Sequence, residues 1–238
     1  MSSRLPKRAA SDRRHSTQQR AASCARFAPE WLGHDRMFSP LGFEPGYDYP
    51  LLVWLPDPAA PKPFDLGRVM MRVSLRNFIA VEPVADGDAT EPGAREAAVW
   101  RAIDRVCDRV AIHPERIFLV GQGAGGSEAF RIACRHPQAF GGVVSLGGPF
   151  PLDEGLFARI SEVRRLPMLL CCHADGSAAD AIHTDRTLRL FHAAGAALAM
   201  RIYAGQRHLS KSILGDVNRW LMDEICGTSV PMRPACTG

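Results

Sequence analysis

The chain has 238 residues, 46% of them apolar, with a formal net charge of +4. That is enough to bury one substantial core, and it excludes both a small disulfide-stapled scaffold and a low-hydrophobicity disordered chain. The positive charge is local: residues 1–26 hold seven Arg/Lys and one acid, and the rest of the chain carries 22 basic and 24 acidic groups.

Residues 1–26 are rich in Ala, Ser and Arg without an apolar run, so they are expected to form a basic disordered tail. They show neither the apolar core of a signal peptide nor the aromatic interleaving of a nucleic-acid arm, and no nucleic-acid partner is expected. No stretch of 18 apolar residues occurs, so no transmembrane segment is expected. The seven cysteines are scattered, odd in number and free of C-x-x-C spacing, which points to reduced thiols and a cytoplasmic chain rather than a zinc site.

In chain order, Leu51–Leu55 is a continuous apolar run closed by prolines, the pattern of a buried strand, and Asn77–Val81 is a second. From Gly93 to Val110 the apolar positions Val99, Ile103, Val106 and Val110 share one helical face, and the helix is expected to stop before His113-Pro114. Arg116–Val120 reads as a strand, Glu128–Cys134 as a helix, and Gly142–Ser145–Leu146 and Met168–Cys172 as further strands. A helix over Thr187–Ala194, a strand over Ala199–Tyr203 and a last helix through Leu214, Val217, Trp220, Leu221 and Ile225 complete the pattern. Apolar strands alternating with amphipathic helices specify an α/β fold: a mostly parallel central sheet with helices on both faces. The expected organisation is a single globular domain over residues 27–226, with a flexible C-terminal tail over 227–238.

Between the strand ending at Val120 and the helix that follows lies Gly121-Gln122-Gly123-Ala124-Gly125-Gly126. Strand, tight Gly-flanked turn and helix form the setting in which G-x-S-x-G holds a catalytic serine; here the serine position is Gly123. A glycine keeps the positive-φ geometry of such a turn while removing its nucleophile. Phosphate-binding turns are also Gly-rich, but the spacing fits neither G-x-G-x-x-G with a following acid nor a P-loop lysine.

The order of elements and three local patterns resemble the α/β-hydrolase superfamily, and among its members the small phospholipase/carboxylesterase family that includes acyl-protein thioesterases. The patterns are Tyr49–Leu55 before the oxyanion segment, Arg116–Gly121 before the elbow, and Tyr203-Ala204-Gly205-Gln206-Arg207-His208 as a Y-x-G-x-x-H segment. The resemblance implies that Gly123 is a vacant nucleophile position and that His208 inherits the base position. It places Ser177 at the acid position, leaving Asp175 and Asp180 as shifted acid candidates, with Asp180 favoured. It also implies that Ala124 supplies one oxyanion N–H. The second donor falls on Pro58 of Leu55-Pro56-Asp57-Pro58, and proline has no N–H to give.

Three functions follow as expectations. The first is a hydrolase-fold protein without hydrolytic activity, binding a small ester or acyl ligand or a protein partner. The second is an active carboxylesterase or thioesterase with a relocated nucleophile, for which Ser127, Ser145 and Cys172 are the candidates. The third, metal chemistry through His173, Asp175, Asp180, His183 and Asp185, has no defensible ligand spacing on one rigid element. No metal and no cofactor are therefore expected.

Overall fold

The computed structural model describes residues 30–85, 91, 93–152, 155, 159–174, 178–205 and 209–227. Residues 1–26 and all of the expected C-terminal tail except Gly227 lie outside them.

Eight strands form one sheet: β1 (Glu30–Leu32), β2 (Asp35–Phe38), β3 (Tyr49–Leu55), β4 (Ile79–Glu82), β5 (Ile112–Gln122), β6 (Gly142–Leu146), β7 (Met168–His173) and β8 (Leu198–Tyr203). The spatial order is β1-β2-β4-β3-β5-β6-β7-β8. β1–β2 and β2–β4 are antiparallel; every other pair is parallel. The helices are α1 (Leu66–Val73), α2 (Ala94–Cys107), α3 (Ala124–Arg135), α4 (Ile160–Val163), α5 (Ala178–Ala194) and α6 (Lys211–Cys226).

The two-residue period of a strand divides the core between the faces of the sheet. Leu51, Val53 and Leu55 of β3 join Val99, Ile103 and Val106 of α2 and Phe130 of α3 in one cluster. The alternate positions Leu52 and Trp54 join Leu66 and Met70 of α1 and Leu214, Val217 and Leu221 of α6 in the other. A strand that must be apolar on both faces is why β3 appears in the sequence as an unbroken apolar run.

Helix boundaries follow local chemistry. Asp65 caps α1 by accepting the Arg68 N–H at 3.0 Å, and Ser210 caps α6 by accepting that of Ile213 at 3.2 Å. α6 ends at Gly227, which takes the left-handed conformation at φ 66.

The elements differ from expectation at several places. The strand expected from Asn77 pairs only from Ile79 and continues to Glu82. α2 stops at Cys107 rather than Val110, and β5 already begins at Ile112 and runs through Pro114. Tyr49 faces Ile112 while Leu51 faces Ile117, so the extra residues, Pro114 among them, bulge out of the ladder. α3 starts immediately after Gly123, four residues before Glu128. α5 begins at Ala178 instead of Thr187; of its described residues only Thr187 and Phe191 are buried, which gives its first half no apolar period. The β1–β2 hairpin and α1 were not expected. Arg105 of α2 ties the hairpin down, donating to the buried Asp35 carboxylate at 2.9 Å.

Candidate functional site

Parallel register sets the site. Trp54 pairs with Val120 and Leu55 with Gly121, so two residues further Asp57 comes level with Gly123. Gln122 pairs with Leu146, and Leu146 with Cys171. The carboxyl ends of β3, β5, β6 and β7 therefore meet along one edge, where ligands bind in open α/β sheets.

Gly123 joins β5 to α3 at φ 51, ψ −125, a conformation that strains any residue with a side chain. Its N–H donates to the Leu146 carbonyl at 3.0 Å, and its own carbonyl accepts the Gly126 N–H at 2.9 Å. The turn also packs tightly against β3: a Cβ on Gly125 would lie 2.7 Å from the Leu55 carbonyl carbon and the same distance from the Pro56 oxygen.

The segment after β3 folds into a turn over Asp57–Ala60. The Ala60 N–H donates to the Asp57 carbonyl at 3.1 Å, and the Ala59 N–H to Asp57 Oδ1 at 3.0 Å. Asp at the first position and Pro at the second are what this turn favours. Pro58 is exposed at its corner. With Oδ1 held by Ala59, Oδ2 reaches over Gly123: a Cβ built there would overlap Oδ2 and stand 2.7 Å from the carboxylate carbon. The space a serine side chain would fill is taken by the Asp57 carboxylate. Beneath it starts α3 with Ala124, whose N–H belongs to the unpaired first turn and whose helix dipole favours a negative charge at this end.

Asp57, Gly123, Gly147 and His173 line a cavity of about 80 Å³, which Leu209 and Ile213 close from the start of α6. A larger cavity of about 360 Å³ adjoins it at Gly147, Cys171 and His173 and extends between β7 and α5. Asp180, in the first turn of α5, is exposed and lines the larger cavity, not the one at Gly123. Asp175, Ser177 and His208 lie outside the described residues.

The hydroxyls and thiols nearby are engaged or hard to ionise. Ser127 Oγ donates to the Pro149 carbonyl and Ser145 Oγ to that of Gly148, each at 2.7 Å, and both residues are buried. Burial pushes the Cys171 thiol up to about 12 and raises that of Cys172, whose Sγ lies 4.0 Å from Thr184 Oγ1. Desolvation of the thiolate is the main cause in both. His183 Nε2 lies 2.7 Å from the Phe150 carbonyl, and Asp185 pairs with Arg189 at 2.8 Å. Among the described residues no three His, Cys, Asp or Glu side chains converge as a metal site would need.

The resemblance already puts the Asp57 carboxylate near the oxyanion site, where it would repel a developing negative charge; that it lies over Gly123 is what sequence reasoning missed. Its signal was the Asp-Pro turn directly after a strand, but its consequence depends on the register of β3 against β5.

No protein-family model matches the sequence, and no curated protein matches it either. Solved structures do. A ferulic acid esterase shares 17% identity at a TM-score of 0.63, over 80% of this chain and 92% of that one. A thermostable esterase shares 15% at a TM-score of 0.60; this chain is covered over 79% but spans only 58% of that protein. Staphylococcus aureus fluorophosphonate-binding serine hydrolase F shares 9% at a TM-score of 0.60, over 79% of this chain and 91% of that one. With its strand order, its Gly123 turn and these neighbours, the chain has the α/β-hydrolase fold.

Proposed function

We propose that this protein binds a small molecule in the cavities beside Gly123 and does not hydrolyse esters by the serine mechanism. The observation that carries the reading is the Asp57 carboxylate lying over a glycine at the turn after β5. Acyl transfer at this turn needs a nucleophile and then amide donors for an oxyanion. Glycine supplies no nucleophile. A carboxylate at the helix start opposes the second negative charge that an oxyanion would bring, and Pro58 has no N–H to offset it. His208 in the base position would then have no hydroxyl at residue 123 to deprotonate.

The alternative is a hydrolase with a relocated nucleophile. Ser127 and Ser145 do not favour it, because each is buried with its proton committed to a carbonyl. Cys171 and Cys172 do not favour it either, because burial raises both thiols and disfavours the thiolate nucleophile. Among the described residues no helix is long and apolar enough to cross a membrane.

The test is a fluorophosphonate probe and a short-chain ester assay on the purified chain. The expected result is no labelling, and hydrolysis at the uncatalysed rate. Saturable turnover that disappears in Ser127→Ala or Ser145→Ala, with the variant still folded, would establish the alternative.

A further inference from the structure

The charge around the two adjoining cavities selects their ligand. An α/β site that takes a carboxylate or phosphate usually offers it a helix N-terminus or a basic side chain. Here the start of α3 already faces a carboxylate belonging to the protein, because Asp57 Oδ2 lies over Gly123. Among the described residues neither cavity is lined by a lysine or an arginine. The larger one instead carries Asp180 and Asp185, the second of which is paired with Arg189.

Asp57 is half-buried and makes no ion pair among the described residues; Oδ1 accepts one N–H, from Ala59. An ionised carboxylate has capacity for more than one donor, and Oδ2 borders the small cavity. The larger cavity, at about 360 Å³, falls in the size range of small-molecule sites. Its outer wall is apolar at Leu188 and Ile202, which are 42% and 64% exposed. An apolar wall in the larger cavity, next to a compact chamber that holds the Asp57 carboxylate, calls for a ligand with an apolar body and a cationic head.

We propose that the adjoining cavities bind a small organic ammonium ion, its charge paired with the Asp57 carboxylate in the smaller and its apolar body extending past Gly147 into the larger. The pairing is charge-assisted and partly shielded from water, so it discriminates against anionic and neutral molecules of the same shape. This assignment deepens the ligand-binding reading given above and rests on it, but the two fail separately: probe labelling decides the first and ligand charge decides the second.

The experiment is calorimetric titration of the full chain with three probes of one shape, phenethylammonium, 2-phenylethanol and phenylacetate. Phenethylammonium is expected to bind saturably, 2-phenylethanol at least about tenfold more weakly, and phenylacetate not at all. Asp57→Asn keeps the side-chain shape and should weaken phenethylammonium by about tenfold or more without changing 2-phenylethanol. Should Asp57→Asn fail to fold, Asp57→Ser, which removes the charge but keeps an acceptor for the Ala59 N–H, should produce the same selective loss. Binding of phenylacetate as tight as that of the ammonium ion would overturn the assignment. So would the absence of any binding up to about 10 mM, or an unchanged ammonium affinity in a folded Asp57→Asn protein.

Discussion

Serine at position 123 is a quantitative test of the contact between the β3 turn and the β5–α3 turn. At φ 51, ψ −125 a residue with a side chain costs about 1–3 kcal/mol over glycine. Its Cβ would also stand 2.7 Å from the Asp57 carboxylate carbon and 3.1 Å from Asp57 Cβ. The carboxylate must therefore swing out, giving up the Ala59 N–H bond at 3.0 Å, which adds about 0.5–1.5 kcal/mol. Gly123→Ser should thus destabilise by about 1.5–4.5 kcal/mol. Asp57→Gly loses the same hydrogen bond and adds a flexible residue, for about 1–2.5 kcal/mol. In the double variant that bond is lost only once and the overlap is gone, so the combined cost should fall short of the sum by about 0.5–1.5 kcal/mol. Urea unfolding of the four proteins, compared at equal m-values, measures this coupling. Additivity within about 0.3 kcal/mol would mean that Asp57 does not occupy the space beside residue 123, and the proposed function would lose its main support. The chemistry should follow the same order: Gly123→Ser labels weakly with a fluorophosphonate and the double variant labels faster, because the charge opposing the oxyanion has been removed.

The remaining predictions concern groups around the site and the sheet edge. Ser145→Ala should cost about 1–3 kcal/mol, since it leaves the buried Gly148 carbonyl without its donor; an unchanged unfolding midpoint would contradict that bond. Cys134 and Cys171, pushed up to about 12 by burial, should resist iodoacetamide at neutral pH in the folded protein while the exposed Cys226 is alkylated, as peptide mass mapping would show. Glu82 is raised to about 7 by burial, although Arg36 pairs with it at 2.8 Å and pulls the other way. The folded state then holds a proton that the unfolded chain releases, so this group's contribution is complete below about pH 4.5 and fades as the pH rises toward about 7. Glu82→Gln should remove a fall of about 1–3 kcal/mol over that window, read as the difference between wild-type and variant unfolding curves against pH.

Most of the sheet was legible because its inner strands are buried on both faces. Leu51–Leu55, Gly142–Leu146 and Met168–Cys172 had to be apolar at nearly every position, and a run of that kind bounded by Pro or Gly has few other structures open to it. The hairpin of β1 and β2 gave no such signal. Its strands are three and four residues long and contain Glu30, Asp35 and Arg36, and the buried Asp35 is satisfied by groups far along the chain, the Val84 N–H and the Arg105 guanidinium. α1 did carry a signal, with Leu66, Val69, Met70 and Val73 at helical spacing behind the cap residue Asp65, but eight residues lie near the lower limit at which the period can be recognised. Among the described side chains of α5 the buried ones are Thr187 and Phe191, so only its second half was visible.

At the site, what was legible and what was not divides along the same physical line. The turn at Gly123 is local: a strand, a glycine flanked by glycines and a helix start are contiguous in sequence, and the positive φ found there is what that pattern requires. Pro58 was equally readable, since the absence of an N–H is a property of the residue alone. The carboxylate over Gly123 is different in kind. That Asp57 would turn back on Ala59 follows from the Asp-Pro pair, but where its second oxygen points depends on β3 lying parallel to β5 with Leu55 opposite Gly121. A shift of one residue in that register would move Asp57 off the level of Gly123 and reverse the face each β3 side chain meets. Trp54 and Leu52 would then leave the cluster with α1 and α6, so the core itself holds the register that brings the charge to the turn. The glycine at 123 and the acid at 57 are therefore best understood together: only a residue without a Cβ leaves room for the carboxylate, and a carboxylate in that room leaves no place for a side chain at 123.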